Sequence, residues 1–241
     1  MTRRFFAPPG AFNFSKRSVT LTSDEARHLR EVLRLKPGDE VQVFDGAGKE
    51  FRAIVAQARR EFAELELKDE VRSARPESPL QLTLAVALLK GEKFDLVVQK
   101  GTELGVNRFI PLTTRYADIR LRDEADAAKR ITRWQRIALE AAKQCGRAVV
   151  PEIFSPVPFE SIIKEGSCLM FSERGGEPLK TDLKESVVAI IGSEGGWSDE
   201  ELEQARAANV PIVTLGGRVL RAETAAITAA VLFQHLYGDL K

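Results

Sequence analysis

The chain has 241 residues, of which 44% are hydrophobic and 29% are charged. This length is comfortable for two domains and the composition is that of an ordinary globular protein, which excludes wholesale disorder and a collagen-like chain. The formal net charge of +1 gives no overall electrostatic reason to expect nucleic acid as a partner, so any basic binding surface must be local.

Two features that could indicate a membrane or a metal are both weak. Arg3 and Arg4 precede an apolar stretch, but prolines interrupt it, and no span approaches the roughly 20 apolar residues that cross a bilayer. Cys145 and Cys168 lack the CxxC spacing of zinc sites, and only two histidines are available. We therefore expect a cytoplasmic protein with no membrane partner and no metal.

The first 72 residues show the pattern of a small β domain. Apolar and polar residues alternate over 41–44, 51–55 and 62–67, which is the period of half-buried strands. One helix is expected to interrupt these strands, because Thr22 to Glu25 has the spacing of a capping box. Residues 73–79 contain two prolines and no apolar anchor, so they are predicted to form an extended linker.

The remaining residues, 80–241, alternate between strand-like and helical patterns. Strands are predicted at 80–89, 108–112, 167–171, 187–191 and 210–215, and helices at 94–104, 129–145, 199–208 and 222–237. This alternation favours an α/β domain with a mainly parallel sheet covered on both faces. Ser198 and Glu201 have the spacing of a second capping box, which marks where the third of these helices begins.

Two glycine-containing segments stand out in this second domain. The first glycine segment (191–198) reads Ile-Gly-Ser-Glu-Gly-Gly-Trp-Ser, and the second glycine segment (215–225) reads Leu-Gly-Gly-Arg-Val-Leu-Arg-Ala-Glu-Thr-Ala. Each follows an apolar strand and leads into a helix, and such strand ends are where α/β proteins bind ligands. Neither segment has the GxGxxG or Gly-Lys-Ser/Thr spacing of phosphate-binding loops, so a different ligand is implied.

The two segments resemble known motifs. Residues 191–201 resemble the G-P-E-G-G-(aromatic)-S/T-x-x-E motif, and residues 215–225 the L-G-x-R-(I/V)-L-R-x-E-T-A motif, of SPOUT-superfamily RNA methyltransferases, with Ser193 in place of the usual proline. Segments 100–106, 144–147 and 28–34 resemble the K-x-T-E-L-G-V, Q-x-x-R and H-L-x-x-V-L-R motifs of the RsmE family. The resemblance covers nearly the whole chain.

This resemblance implies a fold, an activity and partners. The fold would be α/β, with a C-terminal SPOUT domain containing a deep trefoil knot and a small N-terminal PUA-like β-barrel that binds RNA. The implied enzyme is a homodimer that uses S-adenosyl-L-methionine (SAM) to methylate N3 of a uridine in 16S ribosomal RNA or the small ribosomal subunit. The knot does not follow from periodicity, since knots are rare, and it rests on the resemblance alone.

The residues of the two glycine segments are chemically compatible with SAM. SAM carries no phosphate, so its site needs close backbone approach and amide hydrogen bonds more than lysines. The alternative is that the glycines only form tight turns. The predicted cofactor-binding residues are Phe171, Ser172, Ile191, Gly192, Glu194, Gly195, Gly196, Leu215, Gly216, Val219, Leu220, Arg221, Thr224 and Ala225.

Two residues are candidates for catalysis. Methylation of uridine N3 requires loss of its proton and stabilisation of the developing anion, and a permanently charged arginine such as Arg221 suits the second task. The alternative for Arg221 is a surface salt bridge to Glu223 or Glu194. Glu194 is a candidate base, but it could instead brace its loop by accepting hydrogen bonds.

RNA contacts are expected from basic and polar residues outside the glycine segments. Arginines neutralise phosphates, and the RsmE resemblance favours a role near the substrate for the Q-x-x-R pair. That pair, Gln144 and Arg147, could instead simply cap its helix. The predicted RNA-binding residues are Arg4, Arg27, Arg30, Arg34, Arg115, Gln144 and Arg147.

Two other functions are possible for such a sequence. One is a non-catalytic RNA-binding factor for ribosome assembly that has kept the fold, although binding alone would not require intact glycine segments. The other is a Rossmann-type nucleotide enzyme, which the missing phosphate fingerprint disfavours.

Overall fold

The structure is a computed structural model that describes residues 3–73, 75–179 and 185–241. The chain divides into two compact units. The first comprises the chain up to Glu77 together with Ala142–Val150, and the second comprises Ser78–Ala141 and Pro151–Lys241. The division at Glu77 lies within the predicted linker, whereas the linear pattern gave no sign that Ala142–Val150 returns to the first unit.

The first unit is built on one six-stranded sheet. Its strands are β1 (Arg4–Phe6), β2 (Phe12–Asn13), β3 (Ser18–Thr22), β4 (Glu40–Phe44), β5 (Glu50–Ala58) and β6 (Phe62–Val71), in the order β1-β4-β5-β6-β3-β2. All neighbouring pairs are antiparallel except β1 with β4. Alternate residues of these strands, such as Val41, Val43, Val55 and Leu65, point into a buried apolar core, as their period predicted.

The helix of the first unit differs from the prediction at its start. Helix α1 (Ser23–Arg27) continues into a π-helical stretch, His28–Val32. The predicted capping box is wrong, because the side chain of Thr22 makes no capping hydrogen bond. Glu25 has other partners, since its carboxylate accepts from the Phe6 amide at 3.3 Å and from Lys143 Nζ at 2.6 Å.

The second unit is an α/β domain, as the alternating pattern predicted. Its strands are β7 (Gln81–Ala87), β8 (Arg108–Thr113), β9 (Glu152–Ile153), β10 (Val157–Pro158), β11 (Cys168–Phe171), β12 (Ser186–Ile191) and β13 (Ile212–Val213). Its helices are α2 (Lys93–Glu103), α3 (Glu124–Cys145, whose last turn belongs to the first unit), α4 (Phe159–Ile162), α5 (Asp199–Ala207) and α6 (Ala222–Tyr237).

All strand pairs of this sheet are parallel, and their order is β10-β8-β7-β12-β11-β13, with β9 also paired to β8. Strand β11 therefore lies between β12 and β13. Because parallel strands end at the same edge of a sheet, the loops that follow these three strands meet there. Both glycine segments follow strands of this group.

Two predicted boundaries in the second unit are corrected. Helix α3 begins at Glu124 rather than 129, where the Asp123 carboxylate accepts from the Asp126 amide at 2.8 Å and acidic residues fill the first turn. Strand β13 has two residues rather than six. The Val210 amide is used to close helix α5, bonding to the Ala205 carbonyl at 2.9 Å, and Pro211 has no amide to donate.

Within the described ranges, no helix combines the length and apolar character needed to span a bilayer. In the same ranges, no cluster of three or more histidine, cysteine or acidic side chains could hold a metal ion.

Candidate active site

A cavity of about 310 Å³ lies at the carboxyl ends of β11, β12 and β13. Its walls come from the residues that follow these three neighbouring strands, so both glycine segments contribute to one site. The lining residues are Phe171, Ser172, Glu173, Ile191, Gly192, Ser193, Glu194, Gly195, Gly196, Trp197, Val213, Thr214, Leu215, Gly216, Arg218, Val219, Leu220, Arg221, Ala222 and Ala225.

The first glycine segment is held by an internal turn and by a hydrogen bond to a neighbouring strand. The Gly196 amide donates to the Ser193 carbonyl at 3.0 Å, and Gly196 has a φ of +69°, which favours glycine. The buried Trp197 donates from Nε1 to the carbonyl of Phe171 at 2.8 Å, so this segment is tied to the end of the neighbouring strand β11. The floor of the cavity is therefore held in place by the protein itself.

The predicted capping box of α5 is confirmed and has a second role. Ser198 Oγ accepts from the Glu201 amide at 3.2 Å, and Glu201 Oε2 accepts from the Ser198 amide at 2.9 Å. The other carboxylate oxygen of Glu201 accepts from the Arg115 amide at 2.8 Å. One carboxylate thus joins the start of α5 to the loop that follows β8.

At two positions the structure gives a reason for the presence of glycine that the sequence did not indicate. A Cβ on Gly192 would meet the Trp197 indole at 3.0 Å, and a Cβ on Gly195 would meet the Cβ of Tyr116 at 2.8 Å. These glycines permit protein to pack on protein, which is a reason separate from the close approach of a ligand that the sequence suggested. Gly216 is different, because it has a φ of +73° and open space where a side chain would project.

The second glycine segment forms the opposite wall and leads into α6. Arg221 is the N-cap residue of α6, and Ala222 and Ala225 present the first turn of that helix to the cavity. Val219 is 81% exposed, so it lies at the rim rather than in the interior. Thr224 is exposed and is the one predicted cofactor residue that does not line the cavity.

Glu194 is held by neighbouring donors. Its Oε1 accepts from Lys93 Nζ at 2.8 Å and from the Lys90 amide at 3.3 Å. Partial burial acts to raise the pKa of Glu194, but the hydrogen bonds from Lys93 and from backbone amides outweigh it, and the pKa is lowered overall. A carboxylate with a lowered pKa is a weaker base, so this geometry favours the bracing role for Glu194 over proton abstraction.

Arg221 has a different environment. It is exposed at the cavity wall, and among the residues that the structure describes it forms no ion pair. The surface salt bridge to Glu194 or Glu223 that the sequence allowed is absent there, because both carboxylates face Lys93. The Arg221 guanidinium is therefore available to a ligand.

Several cavity residues escaped the sequence reasoning. They are Glu173, Ser193, Trp197, Val213, Thr214, Arg218 and Ala222. Six of them adjoin residues that were predicted, so taking each strand end and its following loop as a whole would have found them. Ser193 is buried, and within the described residues its Oγ has no hydrogen-bond partner, which leaves one polar group on the wall for a ligand.

The predicted RNA-binding residues divide into two groups. Arg27, Arg34, Arg115 and Gln144 are exposed, and Arg30 is partly exposed beside Glu31. Arg147 is buried in the first unit and the side chain of Arg4 is largely buried there, contrary to the expectation that they face RNA. Arg4 pairs with Glu50 at 2.7 Å and donates to the Arg147 carbonyl at 2.8 Å, while Arg147 pairs with Glu77 at 2.6 Å. These contacts also fasten Ala142–Val150 to the first unit.

The second unit is a parallel α/β domain with a cavity at its strand ends and a sequence without the phosphate-binding fingerprint, and a small β domain precedes it. Family models identify the class of protein that has this combination. Residues 76–234 match the family model of the RNA methyltransferase domain, and residues 21–68 match that of the RNA methyltransferase PUA domain. The PUA match agrees with the N-terminal domain that the motifs implied. The class is that of RNA methyltransferases.

Relatives narrow the class to one family. The chain is 35% identical to Ribosomal RNA small subunit methyltransferase E of Synechocystis sp., over 88% of this chain and 71% of that protein. It is 33% identical to the protein of the same name from Rickettsia conorii, over 88% of this chain and 87% of that one. The chain belongs to the ribosomal RNA small subunit methyltransferase E family, which the sequence motifs had indicated.

Solved structures agree with this assignment. A Ribosomal RNA small subunit methyltransferase E from Neisseria gonorrhoeae, bound to SAM, has a TM-score of 0.88 and 33% identity, with all of both chains covered. A Legionella pneumophila protein in complex with SAM has a TM-score of 0.89 and 32% identity, again with both chains fully covered.

Proposed function

We propose that this chain is a SAM-dependent methyltransferase that modifies N3 of a uridine in 16S ribosomal RNA. The observation that carries the proposal is the joining of both glycine segments into one cavity at three neighbouring strand ends. Two solved relatives with the same fold are bound to SAM. The family name adds ribosomal RNA of the small subunit as the substrate.

The cavity fits a nucleoside-type cofactor. Its volume of about 310 Å³ lies within the range of small-ligand sites. Ile191, Leu215 and Leu220 provide apolar surface for a base, and the buried Ser193 Oγ is an unused polar group. Among the described residues, the cavity lining includes no lysine, in keeping with a ligand that lacks phosphate. When bound, SAM supplies an electrophilic methyl group.

The residues of the cavity wall would have separate roles in cofactor binding and in catalysis. The backbone of the two glycine segments would hold the cofactor, with Glu194 bracing the first segment through Lys93 and the Lys90 amide. The exposed Arg221 would stabilise negative charge that develops on the uridine as N3 loses its proton. The exposed Arg27, Arg34, Arg115 and Gln144 would contact the RNA.

Three finer expectations belong to the same proposal. Membership of the family supports the deep knot and the homodimer. Sedimentation at low protein concentration measures the mass directly. The ribosomal RNA substrate supports the expectation that the protein works in the cytoplasm.

A SAM-binding experiment followed by a methyl-transfer experiment tests the proposal. Calorimetry with SAM should show one site per chain, and methyl-labelled SAM should transfer its label to 16S ribosomal RNA or to the small subunit. Mass mapping of the modified RNA should then place the methyl group on N3 of a single uridine. Failure to bind SAM would overturn the proposal. Binding of RNA without transfer would instead favour the non-catalytic assembly factor.

A further inference from the structure

Lys93 connects three parts of the active-site region. It is the first residue of α2, and its Nζ donates to Glu194 Oε1 at 2.8 Å. The same Nζ lies 3.9 Å from Oε2 of Glu223, in the first turn of α6. One ammonium group thus faces a carboxylate of the first glycine segment and a carboxylate of the second.

Few other groups in the described residues could compensate the charge of Glu223. Its side chain is 12% exposed, and Oε2 is buried without a hydrogen-bond partner in the described part of the chain. A buried carboxylate oxygen that lacks a donor is costly, so a nearby cation stabilises it. In this structure the cation that faces it is Lys93.

Arg221 is a further cation close in the chain to one of these carboxylates. It precedes Glu223 by two residues, and it lines the same cavity as Glu194. Despite this proximity, it forms no ion pair with either carboxylate in the described ranges. An arginine readily makes a bidentate pair with an unpaired carboxylate, so the presence of Lys93 between the two acids explains why Arg221 stays free.

We propose that Lys93 is a positioning residue for methyl transfer, which engages Glu194 and Glu223 so that Arg221 remains available to the substrate. This inference rests on the proposed function. Without the ammonium, two carboxylates would remain beside one free guanidinium, and Arg221 would pair with one of them. The ammonium of the neighbouring Lys90 pairs with Asp118 at 2.7 Å rather than with either of these acids.

Substitution of Lys93 by methionine tests the proposal. Lys93→Met removes the charge but keeps much of the side-chain volume. Turnover of 16S ribosomal RNA should fall by roughly tenfold to a hundredfold, less than the roughly hundredfold to thousandfold that follows direct loss of a stabilising donor, because Lys93 acts through Arg221. The dissociation constant of SAM should change by only a few fold. Lys93→Arg, which keeps the charge, should retain most of the turnover.

A second substitution separates positioning from stability. In the double variant Lys93→Met, Glu223→Gln, one of the competing carboxylates is gone, so turnover should recover at least in part. Because Glu223→Gln would also relieve an uncompensated buried charge, recovery of turnover supports positioning only where thermal melting shows that Lys93→Met alone is already folded. Lys100→Met is the matched control, because Lys100 lies on the same helix and, among the residues described, pairs only with Glu103. It should behave as the unsubstituted protein does.

The outcomes are distinct. Wild-type turnover in a folded Lys93→Met protein, or a double variant as slow as Lys93→Met alone, overturns this inference and leaves the proposed function intact. A protein without substitutions that neither binds SAM nor transfers label overturns both. Thermal melting of each variant shows whether it is folded, and Lys93→Arg keeps the comparison decisive if Lys93→Met does not fold.

Discussion

Tyr116 packs so closely on the first glycine segment that its Cβ lies 2.8 Å from the point that a Cβ on Gly195 would occupy. The backbone carbonyl oxygen of Tyr116 is only 3.0 Å from the same point. The loop that carries Tyr116 is itself held by Glu201, so moving Tyr116 away from Gly195 would cost free energy. The two loops therefore interlock at the edge of the cavity.

The first prediction follows from this contact. Gly195→Ala should lower the free energy of unfolding by about 1–3 kcal/mol, as overpacking does, and displace the first glycine segment. Because the displaced segment lines the cavity, SAM affinity should fall about tenfold or more. Calorimetry measures the affinity.

Gly217→Ala is the matched control for that substitution. A Cβ on Gly217 would meet nothing within 4 Å, its φ is not positive, and it does not line the cavity. Its SAM affinity should equal that of the unsubstituted protein. Equal affinities for both variants would show that Tyr116 does not constrain the first glycine segment.

The second prediction concerns Arg221. Arg221→Ala should leave SAM affinity within a few fold but reduce turnover about a hundredfold or more, since a charge-stabilising donor of the transition state is removed. Single-turnover transfer of labelled methyl to 16S ribosomal RNA measures the effect. Arg206→Ala on α5, where Arg206 pairs with Glu203, is the control and should retain activity. Undiminished turnover of Arg221→Ala would remove this residue from the catalytic site.

The third prediction concerns the ion pair of Arg4 with Glu50, whose side chains are only 9% and 1% exposed. Glu50→Gln leaves the guanidinium buried without its full counter-charge, so the free energy of unfolding should fall by about 3 kcal/mol. Urea denaturation measures it. The exposed Arg52–Asp69 pair provides the comparison, and Asp69→Asn should barely move the midpoint. Similar shifts for both variants would contradict the prediction.

The fourth prediction distinguishes the two cysteines. Burial, with a smaller contribution from Glu165, raises the pKa of the Cys168 thiol to about 11. At about pH 8 its reactive thiolate is therefore scarce as well as shielded. Iodoacetamide should label the half-buried Cys145 well before Cys168, and denaturant should abolish the difference. Peptide mass mapping gives both rates, and equal rates in the native protein would contradict the assignment.

Local patterns were sufficient for much of the fold and of the candidate site. The strands of both units follow from alternation and from apolar runs, and α6 spans the predicted residues because its caps and its composition are local properties. The two glycine segments could be placed at one sheet edge because parallel strands all end on the same side. Their motifs were specific enough to indicate the family.

Contacts between residues far apart in the chain could not be read in this way. Lys93 and Glu194 are 101 positions apart in the chain, and Arg4 and Arg147 are 143 positions apart. The sequence around each of these residues does not indicate which residue it contacts. The same holds for Gly195, whose need for glycine comes from Tyr116 rather than from its own turn.

By itself, the sequence determined the two-part architecture, the strand ends that carry the glycines, and the methyltransferase family, since each depends on short-range pattern or on motif. Only the tertiary structure decided which charges are already paired. It places Arg4 and Arg147 in largely buried ion pairs, engages Glu194 with Lys93, and gives Arg221 no ion pair among the described residues. The reason is physical: a charged side chain acts according to its burial and its nearest opposite charge, and packing sets both.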